Sequence, residues 1–332
     1  MTQHTLSLGK IRALQRSSTP EGFFTILALD HQDALRRVLA PHNALSLSEK
    51  SLIDFKLDTA LALQQCVSGV LLDPVYSAAQ AVERNIVNHL GLLVALEKAD
   101  YGMEPMPLEV ELRPGWSVAK IKSMNADGVK LFFYYHPEDT RTATLQDALI
   151  QRVVDDCAHY DIPLYAEPIL YASPQGPPLE SAAYARTKPR VLVEAARRVA
   201  GLGADVLKLE FPLDVVRQPE EAQWARACCQ VSDAVDVPWV LLSAGVDYPT
   251  FCRQVEVACK CGASGFIVGR ALWGEACRVE DPEKRRQWLQ REGQKRMQRL
   301  VDIVQRHATP WQQHYAPESV STTWFQTYGH QA

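Results

Sequence analysis

The stretch Ala204-Asp205-Val206-Leu207-Lys208-Leu209-Glu210-Phe211-Pro212 reads as a buried strand with an ammonium group in its middle. Apolar residues flank Lys208, and a charged lysine in such company is costly to bury without a partner. Period-two alternation puts Val206, Lys208 and Glu210 on one face and Leu207 and Leu209 on the other. Burial lowers a lysine pKa, and a fall of about three units from about 10.4 would free the amine for attack near neutrality. Lys208 is therefore a candidate imine-forming nucleophile. The plainer alternative is a strand-end lysine reaching out to water.

Working outward, the same kind of run recurs. Strands are predicted over 23–30, 69–73, 90–96, 127–135, 162–167, 205–210, 238–243 and 265–268, with helical periodicity over 48–65, 145–159, 190–201, 220–235 and 248–261. This alternation predicts an α/β protein, a closed TIM (β/α)8 barrel with its core over about 22–275. A doubly wound open sheet is the alternative, but no G-x-G-x-x-G turn follows the first strand. Residues 6–17 read as a helix able to plug the N-terminal face of the barrel. Residues 282–307 read as an amphipathic C-terminal helix, and an aromatic tail follows from Thr309. That tail holds Trp311, Tyr315, Trp324, Phe325 and Tyr328, and is expected to dock on its own barrel or on a neighbouring subunit. The whole of 1–332 is expected to be one domain. The run Ser173-Pro174-Gln175-Gly176-Pro177-Pro178 after the fifth strand is a lid candidate or a surface loop.

Composition narrows the function classes. The 332 residues are 47% hydrophobic with a net charge of −4, which argues against a nucleic-acid or anionic-membrane partner. No run approaches about 18 apolar residues, so a soluble cytoplasmic protein is expected, as a homo-oligomer. The 8 cysteines form no CxxC pair and read as reduced thiols, and the 9 histidines show no ligand spacing; no metal is expected.

Functional residues of a barrel gather at the C-terminal ends of its strands. Here those ends carry Asp30, Asp73, Glu97, Lys130, Glu167, Lys208 and Glu210 in order along six strands. Lys130 and Glu167 would face the same cavity as Lys208. A second cation disfavours a charged Lys208, and a carboxylate between them could carry protons. A purely structural Lys–Glu–Lys network is the alternative. The last two strands end in Ser243-Ala244-Gly245 and Gly269-Arg270, small residues that bare backbone N–H groups, with a hydroxyl and a guanidinium beside them. In this fold the loops after strands seven and eight commonly bind phosphate.

Taken in order, several motifs resemble the class I tagatose-1,6-bisphosphate aldolases and the related sulfofructosephosphate aldolases. They are Leu27-Ala28-Leu29-Asp30, Asp54-Phe55-Lys56, Leu71-Leu72-Asp73-Pro74-Val75-Tyr76, Glu97-Lys98, Val129-Lys130-Leu131, Glu167-Pro168, Asp205-Val206-Leu207-Lys208-Leu209-Glu210, Ser243-Ala244-Gly245-Val246 and Gly269-Arg270-Ala271. The resemblance implies a TIM barrel that cleaves a ketose phosphate through a lysine imine, with neither metal nor cofactor. It implies Lys208 as the imine lysine, Glu167 as the acid/base, and Lys130 and Asp30 as active-site polar groups. Ser243, Ala244, Gly245, Gly269 and Arg270 would hold the phosphate of the dihydroxyacetone-phosphate half, and His31, Gln32 and Asp73 would complete substrate binding. One departure stands out: where the family reads Asp-Gln-Arg, this chain reads Asp30-His31-Gln32. The arginine expected to hold an anion at the far end of the sugar is missing, and another cation such as Arg36 is a possible substitute. A sulfosugar substrate, a zinc-dependent aldolase or sugar-phosphate isomerase on the same fold, and a non-catalytic phosphate-sensing barrel are the remaining alternatives.

Overall fold

A computed structural model describes residues 3–41, 43–44, 47–98, 109–173, 175–326 and 328. Eight parallel strands close into a barrel in chain order. They are β1 (Phe24–Leu29), β2 (Gly69–Leu72), β3 (Gly91–Ala95), β4 (Gly128–Tyr135), β5 (Leu164–Leu170), β6 (Val206–Leu209), β7 (Trp239–Leu242) and β8 (Gly265–Val268). β1 pairs with both β2 and β8, which closes the ring and gives the expected TIM barrel. Every strand residue except Ile169 is buried, because the strands pack inward on one another and outward on helices. That is why they read as unbroken apolar runs, and why an ionisable residue within one is conspicuous.

Two boundaries differ from expectation. β5 runs past Glu167 to Leu170, pairing with β4 along its whole length but with β6 only at Tyr165 and Ala166. Pro168 therefore lies where β5 has parted from β6, an edge-like position of the kind that tolerates proline. The helix expected over 190–201 starts at Ala182, where Ser181 caps it by accepting from the Tyr184 N–H, and it continues through Pro189. Proline reads as a helix boundary in sequence, yet packing carries this helix past it. The C-terminal helix forms as Pro282–Trp288, a π turn at Leu289–Gly293, and Gln294–His307. Pro174 of the lid candidate lies outside the described residues; beside it Ser173 and Gly176 form a turn through a 2.8 Å backbone bond.

The helix Leu8–Ser17 seals the N-terminal end of the barrel, as expected. Lys10 reaches Asp205, the residue before β6, at 2.8 Å, and Arg16 reaches Asp127, the residue before β4, at 2.7 Å. The Ser17 hydroxyl shares a 2.8 Å hydrogen bond with the Tyr165 hydroxyl. The start of the tail docks on the same floor of its own chain. His4–Leu6 pairs in parallel with Tyr315–Pro317, Trp311 donates to the Ser18 hydroxyl, and Tyr315 donates to the Asp205 carbonyl. Farther along, Trp324 and Phe325 are exposed.

These contacts leave the opposite end of the barrel free for chemistry and make the floor a matter of stability. Lys10→Met strands a buried carboxylate at Asp205 and is expected to lower the unfolding free energy by about 3 kcal/mol. Urea denaturation followed by tryptophan fluorescence measures this, and an unchanged midpoint would show that the pair contributes nothing.

Candidate active site

Three strands bring the central groups together. Lys130 lies on β4, Glu167 on β5 and Lys208 on β6, with Glu167 in register with Phe132. The Glu167 carboxylate bridges the two lysines, one oxygen 2.9 Å from Lys208 Nζ and the other 3.0 Å from Lys130 Nζ. Lys130 Nζ also lies 2.8 Å from Asp30 Oδ2 and 2.7 Å from Glu97 Oε1, so its three N–H donors match three carboxylates. The side chains of all five residues are at most 3% exposed. Glu97 is further fixed by accepting from the Phe132 N–H at 3.1 Å.

Charge is unevenly held in this cluster. Burial would raise the Asp30 pKa, but Lys130, Lys208 and His31 outweigh it and keep the carboxyl ionised well below its usual range. For Glu97 burial prevails over Lys130, and its pKa rises. His31 is pushed down to about 3, first by burial and then by the nearby cations of Arg270, Lys208 and Lys56, against the pull of Asp30. Its imidazole is therefore neutral through the physiological range.

Lys208, Glu167, His31, Ser243, Ala244 and Arg270 line one cavity at the C-terminal end of the barrel, together with Gly269. At its β7–β8 side the backbone is unusual. Ala244 and Gly245 both take positive φ, +45° and +79°, so the chain turns sharply after Ser243. A Cβ on Gly245 would sit 3.4 Å from the Arg270 guanidinium carbon, and one on Gly269 would sit 2.9 Å from His31 Cε1. These glycines let the guanidinium and the imidazole lie against bare backbone. The Gly269 N–H donates to the Ser243 hydroxyl at 3.4 Å, which links the two loops. A hydroxyl, a guanidinium and open backbone converge here, a set suited to a phosphate.

Two expected binding residues are placed elsewhere. Asp73 is fully buried and turned away from the cavity. It pairs with Lys56 and accepts from the Ser77 hydroxyl and the Val75 and Tyr76 N–H groups, so it orders the turn after β2. Gln32 does not line the cavity; its amide oxygen accepts from Arg113 Nη2 at 3.0 Å. Arg36 does not replace the missing arginine either, since it donates to the Leu47 carbonyl at 2.6 Å and packs over the Tyr76 ring. Glu210 lines the cavity, but its carboxylate accepts from the Leu170 N–H and faces Lys188 at 3.6 Å.

Sequence reasoning gave Lys56 no role beyond its place in the motif Asp54-Phe55-Lys56, and passed over Tyr134. Lys56 lies on the buried face of the helix Glu49–Leu63 with Leu52, Phe55 and Thr59, a spacing that helical periodicity could have exposed. Tyr134 lines the cavity two steps of two beyond Lys130 on β4, so strand alternation points to it.

A family model described as DeoC/LacD family aldolase matches residues 24–275, which include all eight barrel strands. The chain belongs to the DeoC/LacD aldolase family. Named relatives include a tagatose 1,6-diphosphate aldolase of Staphylococcus epidermidis, 31% identical over 92% of this chain and 99% of its own length. A Staphylococcus aureus protein of the same name is 31% identical over 92% of this chain and 98% of its own. Among solved structures, an archaeal fructose 1,6-bisphosphate aldolase superposes with a TM-score of 0.58 at 19% identity, covering 89% of this chain and 98% of that one. A Plasmodium falciparum fructose-bisphosphate aldolase superposes at 0.68 with 12% identity, covering 92% and 98%. At such identities the structural matches speak for the barrel alone.

The neutral His31 gives this family member a pH signature. Between its usual 6.5 and about 3 the unfolded chain takes up a proton that the folded chain refuses, so stability falls as pH falls. From pH 7 to pH 5 this is expected to cost about 2 kcal/mol. His31→Gln should lose that much less over the same interval, as read from urea midpoints at the two pH values. Equal losses in both proteins would place the proton elsewhere.

Proposed function

We propose that the protein is a ketose-phosphate aldolase of the imine-forming kind, with tagatose 1,6-bisphosphate as its substrate. The observation that carries this reading is the carboxylate shared between two buried lysines, with Lys208 opening onto a cavity that ends in a phosphate-type cradle. The tagatose 1,6-diphosphate aldolases at 31% identity support the choice of sugar.

The geometry suits each step. With the phosphate against Ser243 and Arg270, the C2 carbonyl meets the Lys208 amine, which adds to it to give a carbinolamine. Glu167, 2.9 Å from Lys208 Nζ, delivers the proton with which the hydroxyl leaves as water, and an iminium remains. The C4 hydroxyl then gives up its proton to the Glu167 carboxylate. The C3–C4 pair flows into the iminium, and the aldehyde, glyceraldehyde 3-phosphate, departs. Protonation of the enamine at C3 and addition of water release dihydroxyacetone phosphate and the free amine. Lys130, held by its three carboxylates, orients Glu167 toward Lys208. The iminium is the electron sink, so the route calls on no metal and no cofactor. The free thiols and modest negative charge suit cytoplasmic work.

Borohydride added during turnover should fix the triose or hexose carbon chain to Lys208, as seen by peptide mass spectrometry. Lys208→Met should abolish both the adduct and cleavage, and Glu167→Gln should lower kcat by roughly 100- to 10,000-fold. Activity should survive a chelator. Turnover with no label on Lys208, or loss of turnover with chelator, would remove the imine mechanism.

A further inference from the structure

All 8 cysteines are free thiols, and the imine chemistry uses none of them. Two of them meet where neighbouring helices pack. Cys229 lies on the helix Glu221–Ala234, and Cys261 caps the C-terminus of the helix Tyr248–Lys260. Both are half-buried, whereas Cys228 and Cys259 on the same helices are 0% and 1% exposed.

Helical spacing decides their contact. Ala225, Cys229 and Ser232 follow one another at intervals of four and three, so they share one face of their helix. Both ends of that stripe hold Cys261. Its thiol donates to the Ala225 carbonyl at 3.1 Å, and the Ser232 hydroxyl donates to its carbonyl. The residue between those two anchors is Cys229, and the two sulfurs are hydrogen-bond neighbours. The anchors are themselves fixed. Trp239 Nε1 donates to the Ser232 hydroxyl at 2.8 Å, and Gly262, at φ +107°, turns so closely that a Cβ there would lie 2.7 Å from Ser232 Oγ. Burial first, and then the Cys229 sulfur, pushes the Cys261 thiol up to about 12, so Cys261 keeps its proton near neutrality.

We propose that Cys229 and Cys261 are a reversible oxidation site, where a hydroperoxide converts the two thiols into a disulfide that staples the two helices together. The Cys229 sulfur attacks the peroxide, which leaves a sulfenic acid and one water. The Cys261 sulfur then attacks the Cys229 sulfur. Its proton goes to the departing hydroxyl, which leaves as a second water as the S–S bond forms. The dithiol gives up two electrons and the peroxide takes them, and a small thiol restores the pair by exchange. The closed loop of roughly 30 residues contains β7 and the turn Ser243–Gly245, so the bond restrains that segment in the unfolded chain. The site itself lies about 20 Å from the cradle, at the far end of the helix Tyr248–Lys260. Oxidation is therefore expected to raise stability and to leave turnover as it was.

The test treats the reduced full-length protein with hydrogen peroxide, blocks the remaining thiols by alkylation and maps the peptides without reduction. One linked pair, Cys229 with Cys261, is expected, two hydrogens lighter than its two peptides and reopened by dithiothreitol. The oxidised protein should melt about 5 °C above the reduced one. In Cys229→Ser and in Cys261→Ser both the link and the peroxide-induced shift should vanish. Thiols that stay reduced, that pass to sulfinic or sulfonic acids without linking, or that link to other cysteines would overturn the proposal. So would a link that leaves the melting midpoint unchanged or lowers it, or an equal shift in Cys229→Ser. These readouts count thiols and follow unfolding, so they stand or fall independently of the sugar chemistry.

Discussion

Lys130 places a positive charge in the middle of the barrel, 1% exposed, and three carboxylates from β1, β3 and β5 close around it. Taking any one of these ions from water costs several kcal/mol, and only mutual contact at hydrogen-bond distance returns it. The cluster therefore sets the geometry of three strand ends at once. Asp30 closes β1, Glu97 follows β3 and ties into the β4 backbone at Phe132, and Glu167 crosses to Lys208. Lys208 is thus held, through Glu167, by the same lysine that organises the other strand ends. The backbone bridge from Glu97 to Leu112 extends the same frame outward to Arg113.

Much of this was legible in the sequence for one physical reason. Barrel strands are buried on both faces, so Lys130, Glu167 and Lys208 stand out as charges within apolar runs, and period two aligns them on one face. The cradle was visible because tight turns and bare backbone demand small residues. What strand-end position cannot tell is which way a carboxylate turns. Asp30 and Asp73 both follow apolar strands, yet one joins the central lysine while the other folds back on its own turn and Lys56. The contact of Arg113 with Gln32 spans 81 positions and two strands of chain, and no local pattern encodes it. The helix before Pro189 was missed because a proline rule describes local cost, and tertiary packing overrode it here.

The two ends of the barrel divide their labour cleanly. The C-terminal end holds groups kept under electrostatic tension: a neutral histidine beside cations, an alanine in the left-handed region, and a guanidinium with a buried, unsatisfied N–H. Such features cost stability and are tolerated where ligands bind. The N-terminal end holds fully satisfied pairs such as Lys10 with Asp205 and Arg16 with Asp127, backed by aromatic hydroxyls.

That floor also imposes a timetable on synthesis. Residues 4–6 are synthesised long before the strand they pair with, Tyr315–Pro317. The contact joins segments that flank the whole barrel in sequence, so its loop-closure entropy is met only after the barrel has assembled. Until then the helix Leu8–Ser17 holds to the barrel through its ion pairs, the Ser17–Tyr165 hydrogen bond and the buried side chains of Ile11 and Leu14. The latch therefore closes after the barrel, and a nascent chain stalled before Tyr315 would carry all eight barrel strands over an unlatched base.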